Sequence, residues 1–363
     1  MFHMRDKELS KLITRNLKNM NLNIQVMHVC GTHQDTIVKF GLDSIFNECG
    51  VKIIQGPGCP VCVTTPEEIE TGIKLAENGV TIATFGDMVR VPGAKKSLQA
   101  VKAGGGDIRI VYGINEAVEL AEKFDREGNG KEVVFMAVGF ETTAPATAAV
   151  LLRELPENFS VVSCHRYIPP ALVRILGMGE IALDGIIDPG HVSVIIGAKA
   201  YEEISRQYGI PQVIAGFEPI DVMMAVWMIA KQVAEGRGEV ENEYTRCVAY
   251  EGNEKALKML DEVFEPGDAK WRGFPVIERS KMVLRKKFDD FNAEKKFEDI
   301  LAEMEGMEFK EPPGCRCGEV LRGLIPPAEC PLFGKACNPA HPVGPCMVSV
   351  EGACNIEYRY KND

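Results

Sequence analysis

The stretch NIQVMHVCGTHQDTIVKFG, residues 23–41, joins an apolar, β-branched run to a helical pattern through Cys30 and Gly31. A strand that leads directly into a helix is the repeating unit of α/β proteins. The same change of pattern recurs along the chain after further strand candidates at 51–54, 81–85, 107–112, 131–138, 159–164, 186–187 and 211–215. The sequence therefore predicts an α/β fold with open, mostly parallel sheets.

These units form two series of similar order and spacing. Gly31 precedes Gly139 by 108 residues, and Gly113 precedes Gly216 by 103 residues. Because a recurring order of elements suggests a duplication, we predict two similar open-sheet α/β domains. The first spans 22–126 and carries Cys30 and a C-x-x-C motif, and the second spans 130–235 and carries GFETT.

A third, helical and irregular domain is predicted over 236–363. A linker is predicted at 234–244, and two helices are predicted at 253–264 and 294–304. The basic run at 279–288 is interpreted as a solvated helix face. An N-terminal helix over 5–20 is expected to pack on this third domain.

Charge and hydropathy exclude two classes of partner. Against 52 Asp and Glu there are 41 Lys and Arg, a net charge of −11, which gives little support to nucleic-acid or anionic-membrane binding. The chain has no uncharged apolar run of about 18 residues and no signal-peptide core at its start. We therefore expect a cytoplasmic protein. Its 12 cysteines then need an explanation, because structural disulfides seldom persist in that compartment.

Cys30 lies where a predicted strand ends and a helix begins, the edge at which open α/β sheets bind ligands. Helix N-terminal N–H groups favour a thiolate there. His33 follows three residues later, so thiol and imidazole can share one helix face. The pair offers a partial metal site or a thiolate–imidazole pair. A buried packing cysteine is the alternative reading of Cys30.

Cys59 and Cys62 form a C-x-x-C motif within GPGCPVC, residues 56–62. In a reducing compartment this motif indicates a redox pair or half of a zinc site. The following TTPEE predicts a helix capped by Thr65, with Glu68 closing a capping box. No second C-x-x-C is present, which favours the redox interpretation and predicts a lowered pKa for the Cys62 thiol.

The end of the chain concentrates six cysteines in a Pro- and Gly-rich coil: Cys315, Cys317, Cys330, Cys337, Cys346 and Cys354. Such a coil cannot easily bury an apolar core of its own, so we expect a metal or covalent links to stabilise it. Iron–sulfur clusters take four thiolates and tolerate irregular backbone. Disulfides, one or two zinc ions, and packing thiols remain the alternatives, and composition alone does not choose which four cysteines would bind.

The remaining motifs predict less. Glu141, Thr142 and Thr143 would line the sheet edge of the second domain, although Thr and Pro are also ordinary capping residues. His191 in GHVS is interpreted first as part of a turn. Three cysteines without sequence partners are interpreted as packing thiols: Cys49, Cys164 and Cys247.

Taken together, the motifs HVCGTHQ, GPGCPVC, VGFETTAP, PGHVS and the tail from GCRCGEVL to EGAC resemble the HypD family of hydrogenase maturation factors. The resemblance runs from about residue 22 to 360. It implies an assembly protein for [NiFe]-hydrogenase, in which iron is held while cyanide and carbon monoxide ligands are attached. The implied partners are a HypC-like chaperone and a HypE-like cyanide donor. The implied fold has two similar α/β domains and a third with one [4Fe–4S] cluster.

The resemblance also implies roles for individual residues. Cys30 becomes the iron-site thiolate with His33 beside it, and Cys59 with Cys62 becomes the redox pair near that iron. The implied cluster ligands are Cys315, Cys330, Cys337 and Cys354. Cys317 and Cys346 become a second thiol pair beside the cluster.

Two other functions stay open at this stage. One is a ferredoxin-linked protein-disulfide reductase, which would turn over thioredoxin-like substrates. The other is a zinc-stabilised binding module without redox function. The reductase would differ from a maturation scaffold in not needing a HypC-like partner. The zinc-stabilised module would differ in the metal that it contains.

Overall fold

The computed structural model describes residues 6–361. Its strands are β1 Ile24–His28, β2 Val51–Gln55, β3 Thr81–Thr84, β4 Ile108–Ile110, β5 Val133–Gly139, β6 Phe159–His165, β7 Gly185–Pro189, β8 Gln212–Ala215, β9 Val240–Asn242, β10 Phe264–Lys270 and β11 Val276–Leu284. Each predicted strand up to residue 215 is confirmed, with ends that differ by a few residues.

The helices alternate with these strands. They are α1 Lys7–Met20, α2 Gly31–Lys39, α3 Leu42–Glu48, α4 Pro60–Val63, α5 Pro66–Glu77, α6 Gly86–Arg90, α7 Leu98–Ala103, α8 Ile114–Arg126, α9 Ala144–Leu151, α10 Ile168–Met178, α11 Gly190–Ile196, α12 Glu202–Tyr208, α13 Pro219–Glu235, α14 Glu254–Val263, α15 Ala293–Lys296, α16 Glu298–Leu301, α17 Cys317–Leu321, α18 Pro345–Val348 and α19 Ala353–Lys361. Short 3₁₀ turns lie at Ala198–Tyr201, Lys286–Phe291, Ala302–Met304 and Pro327–Glu329.

Two parallel sheets form the framework. The first has the strand order β2-β1-β7-β8-β9, and the second has the order β4-β3-β5-β6. Strands β5 and β6 are buried along their whole length, as parallel strands covered on both faces must be. The predicted class of open, parallel α/β sheets is confirmed.

The pairing of β1 with β7 departs from the predicted organisation. Each sheet takes strands from both of the segments 22–126 and 130–235, so the two sheets do not correspond to two consecutive segments. The first sheet is interrupted in sequence by the whole second sheet. Local sequence patterns specify where strands form. Which strands pair in a sheet depends on tertiary packing, and a repeated spacing along the chain does not reveal that pairing.

Three further elements differ from the sequence-based interpretation. The predicted linker 234–244 contains β9, which is the edge strand of the first sheet. The basic run 279–288 lies mostly in β11, where Ser280, Met282 and Leu284 alternate inward, and is not a helix face. The predicted helix 294–304 is divided into α15, α16 and a 3₁₀ turn.

The N-terminal helix packs on the first sheet's helical layer instead of the terminal segment. Ile13 and Leu17 of α1 are buried in one core cluster with residues of α13 and α3. The helix pattern at 7–20 is confirmed, while residue 5 of the predicted range lies outside the described residues. The amphipathic face of α1 is thus covered by α13, a neighbour that sequence periodicity does not specify.

Facing sides of the two sheets share the largest core. Met27, Val29 and Ile186 from the first sheet, and Met136 and Val162 from the second, belong to one buried cluster. The terminal residues Cys337, Cys346, Met347 and Cys354 belong to it as well. The hairpin β10–β11 and α14 instead cover the outer face of the second sheet. The terminal coil therefore packs into the core between the sheets.

Candidate functional site

Each sheet has one position at which the strand order reverses, and ligands of open α/β proteins bind at the carboxyl ends of the strands there. In the first sheet this position lies between β1 and β7, which end beside Cys30 and Asp188. In the second sheet it lies between β3 and β5, and Glu141 lies two residues after the end of β5. Because these ends flank a shared core, the two crevices form one candidate site.

Tyr201 lies near charged or ionisable groups of both crevices. Its ring is fully buried, and its pKa is raised by burial and by the nearby groups Asp188, Glu141 and Cys30. Its hydroxyl lies 3.0 Å from Ser193 Oγ, which itself donates to the Pro189 carbonyl at 2.9 Å. Groups that follow strands of both sheets therefore influence one buried phenol.

Cys30 caps the N-terminus of α2 and is almost completely buried. The loop of the C-x-x-C motif lies directly on it: Gly31 N donates to Gly58 O at 3.2 Å. A Cβ atom at Gly58 would lie 2.1 Å from the backbone nitrogen of Cys30, so only glycine allows this approach. The site thus brings the two predicted cysteine motifs together.

The pKa of the Cys30 thiol is raised, although a position at the N-terminus of a helix would lower it. Burial raises its pKa to about 11, although the backbone amides of His33 and Thr32 favour the thiolate. Glu351, whose Cβ and carbonyl oxygen pack against Gly31, raises it further. Desolvation therefore outweighs the helix terminus in setting this pKa, and the thiolate at Cys30 stays a prediction. A cation bound to the sulfur would reverse this balance.

His33 is buried and oriented by the end of the first sheet. Its Nε2 lies 2.9 Å from Gly216 O and 3.3 Å from Ala215 O, so this nitrogen carries the proton and donates it. Burial lowers the pKa of His33 to about 4, which keeps the ring neutral. Its Nδ1 is buried and has no hydrogen-bond partner among the described residues, 6–361. The imidazole therefore presents a free lone pair, as a metal ligand requires.

Cys59 and Cys62 are fully buried and joined by a disulfide. They lie at the start of α4, and the predicted capping box of Thr65 and Glu68 follows in α5. Cys62 Sγ lies 3.8 Å from the carbonyl oxygen of Pro345, and α4 packs against α17 and α18. The C-x-x-C pair is thus held between Cys30 and the terminal cysteines.

Five of the six terminal cysteines form one cluster of thiols. Cys315 Sγ lies 3.3 Å from Cys317 Sγ, and the Cys346 thiol shares hydrogen bonds with Cys317 and Cys354. Cys337 Sγ accepts a hydrogen bond from Val343 N at 3.3 Å, and burial together with the neighbouring Cys315 and Cys317 thiols raises its pKa. We call Cys315, Cys317, Cys337, Cys346 and Cys354 the thiol cluster.

Cys330 is buried in the same segment, but no hydrogen bond within residues 6–361 joins its thiol to the thiol cluster. Across the same range, no three His, Cys, Asp or Glu side chains are arranged to hold a single metal ion. The division of these six cysteines into four cluster ligands and one pair therefore stays a prediction.

Glu141 and Asp188 carry features that the sequence did not reveal. Ile168 N donates to Glu141 Oε1 at 2.9 Å. Glu141 Oε2 and both Asp188 oxygens are buried and have no hydrogen-bond partner within the part of the chain that the structure describes. Burial raises the pKa of Glu141 to about 8 and that of Asp188 well above its usual value. Their positions near strand ends are the one sequence signal that points to these two acids. That their carboxyl groups are buried away from cations becomes visible only in the three-dimensional structure.

No helix among residues 6–361 is both long enough and apolar enough to cross a membrane.

Comparison with known proteins identifies the family. The HypD family model, described as the hydrogenase formation hypA family, matches residues 5–361. A Methanocaldococcus jannaschii protein named for hydrogenase expression/formation is 49% identical over 343 residues, covering 93% of this chain and 92% of that protein. The hydrogenase maturation factor HypD of Cupriavidus necator is 40% identical, and the match covers 98% of this chain and 95% of that protein. The hydrogenase maturation factor HypD of Azotobacter vinelandii is 41% identical, and the match covers 93% of this chain and 89% of that protein. The chain therefore belongs to the HypD family of hydrogenase maturation factors.

Proposed function

We propose that this protein is a scaffold on which iron receives cyanide and carbon monoxide ligands for a [NiFe]-hydrogenase, together with a HypC-like chaperone and a HypE-like cyanide donor. The observation that carries the proposal is the junction of three sulfur groups in one buried region. Cys30 lies beneath the loop of Cys59 and Cys62, and that pair packs against the elements that hold Cys317 and Cys346. Iron as substrate would bind the Cys30 thiolate and the free Nδ1 of His33, which are suitable ligands for it.

The disulfide of Cys59 and Cys62 supplies thiol redox chemistry at this site. Its reduction to two thiols takes up two electrons and two protons, and its re-formation releases them. Because Cys62 lies beside the backbone of Pro345, electrons would travel a short path between this pair and Cys346. We infer that the pair couples electron transfer to ligand attachment at Cys30.

The terminal cysteines suit a [4Fe–4S] cluster by the chemistry of their donors. Thiolates are the ligands of such clusters, and an irregular, Pro-rich backbone accommodates them. We propose Cys315, Cys330, Cys337 and Cys354 as its ligands and Cys317 with Cys346 as the adjacent pair. When bound, the cluster would supply one-electron transfer.

Replacing Cys30 with alanine tests the iron-site role. We expect C30A to lose iron-bound cyanide and carbon monoxide infrared bands and hydrogenase maturation, while the visible absorption of the Fe–S cluster is retained. The matched control is C49A, which removes another buried thiol. The Cys49 thiol lies 3.7 Å from the Thr14 carbonyl oxygen, in the core cluster that contains Ile13 and Leu17 of α1. Wild-type infrared bands and maturation activity in C30A would contradict the proposal.

The packing of a disulfide against a thiol cluster also supports a second candidate, a ferredoxin-linked protein-disulfide reductase. This alternative predicts turnover of thioredoxin-like disulfides without a HypC-like protein. Anaerobic purification with quantification of iron, sulfide and zinc separates both candidates from a zinc-stabilised binding module. That module would contain zinc without iron or sulfide and would be colourless.

A further inference from the structure

The carboxyl groups of Asp188 and Glu141 are fully buried, and neither has a cationic partner among residues 6–361. An isolated carboxylate is rarely buried, because its desolvation costs more free energy than keeping the carboxyl group protonated. Both acids are therefore held in their neutral forms, each of which carries one O–H donor.

Hydrogen bonding indicates the position of the proton on Glu141 and leaves both oxygens of Asp188 available for one. Glu141 Oε1 accepts the N–H of Ile168 at 2.9 Å, so the proton belongs on Oε2, the oxygen without a partner. Asp188 has two oxygens without partners and can direct its proton from either. Ser193 donates to Pro189 O and accepts from Tyr201, so both of these hydroxyl protons are already used. Unused donors thus remain on the two acids.

The position of these donors indicates what they bind. Asp188 is the penultimate residue of β7, beside the end of β1 that leads into Cys30, and Glu141 lies two residues after the end of β5 in the facing sheet. Both groups and Cys30 lie near enough to the buried Tyr201 hydroxyl to raise its pKa. Two O–H donors without acceptors suit a ligand that has lone pairs and no protons of its own. Cyanide fits this description, whereas carbon monoxide is a poor hydrogen-bond acceptor.

We propose that Asp188 and Glu141 donate hydrogen bonds to the nitrogen end of cyanide bound to iron at Cys30. This inference rests on the proposed function, and it assigns the two acids the role of selecting and orienting the anionic ligand. A buried polar group without a partner costs about 1–3 kcal/mol, and a bound acceptor would remove that cost. The acids would therefore favour the cyanide-loaded state over the empty one.

The first test uses the unloaded full-length chain and does not depend on iron. Infrared difference spectra between wild type and D188N at neutral pH should contain the C=O stretch of a protonated carboxylic acid, and the E141Q difference should contain a second one. Asn and Gln keep the size of the replaced side chains, and circular dichroism and thermal melts establish that the variants are folded. Carboxylate bands in place of the acid band at Asp188 would overturn the proposal.

The second test adds ferrous iron and ¹³C-labelled potassium cyanide anaerobically to the full-length chain. In the wild type the cyanide band should shift when H₂O is replaced by D₂O. D188L should lose most of that shift and bind cyanide about tenfold more weakly, as expected for one lost hydrogen bond of about 1.4 kcal/mol. D188N retains a donor and should bind nearly as well as the wild type.

The outcomes separate the two proposals. An unchanged D₂O shift and affinity in folded D188L and E141L would overturn the donor role while leaving iron assembly at Cys30 intact. Cyanide bands that persist unchanged in C30A, or that never form on iron-loaded wild type, would overturn the proposed iron site and the donor role with it.

Discussion

Glu141 illustrates how one buried residue makes folding depend on pH. Its pKa is raised to about 8 by burial, whereas an unfolded chain has the ordinary value near 4.5. Between these values the unfolded chain releases the proton and the folded chain keeps it. The folded state therefore loses stability as the pH rises through this window.

The substitution E141Q should remove this dependence, because Gln retains the acceptor for Ile168 N without a titrating proton. Relative to wild type, the free energy of unfolding of E141Q should rise between pH 5 and 8 by up to roughly 4 kcal/mol. Urea denaturation across this range measures the difference. E119Q, on the exposed side of α8, is the control and should show no such trend. A pH-independent difference for E141Q would show that Glu141 is ionised in the folded protein.

At the scale of elements, the loop before α4 depends on a close approach of two backbones. A Cβ atom at Gly58 would lie 2.1 Å from the nitrogen and 2.4 Å from the Cα atom of Cys30. Both contacts are with backbone atoms, which cannot move away without a cost in free energy. G58A should therefore move the loop away from Cys30 and break the hydrogen bond from Gly31 N to Gly58 O. We expect a loss of about 1–3 kcal/mol, the range typical of overpacking.

G86A is the matched control for G58A. Gly86 also follows a strand end, but its nearest neighbour to an added Cβ is the Ile110 side chain at 3.6 Å. Thermal unfolding measures the stability of both variants, and anaerobic iron titration measures their binding at Cys30. Wild-type stability and iron affinity in G58A would contradict the packing described for the C-x-x-C loop.

Elements also show which parts of the fold the sequence could predict. The strands up to residue 215 and the capping box of Thr65 are local patterns, and the structure confirms them. Strand β11 was interpreted as a helix face because its basic residues masked the alternation, which is interrupted at Arg279 with a positive φ of 56°. The pairing of β1 with β7, and the burial of Asp188 without a cation, depend on residues far apart in sequence. No local pattern contains that information.

For the whole molecule, the interrupted first sheet predicts which regions open together. If cooperative units follow the sheets, β1, β2, β7, β8 and β9 form one unit although the second sheet separates them in sequence. Two consecutive domains would instead couple β1 and β2 with β3 and β4. Hydrogen exchange of the full-length chain distinguishes these groupings, since destabilising one strand accelerates exchange throughout its own unit.

Ile187 in β7 and Phe135 in β5 are suitable positions for this test, because each is buried on the outer face of its sheet. Truncation of either to alanine should cost about 2–5 kcal/mol. We expect I187A to accelerate amide exchange in β1 and β2, more than 130 residues earlier, and to spare β5 and β6. F135A should accelerate exchange in β3, β4 and β6 and spare β2. Coupling of I187A to β5 and β6, with β1 unaffected, would favour two consecutive domains and contradict the observed strand order.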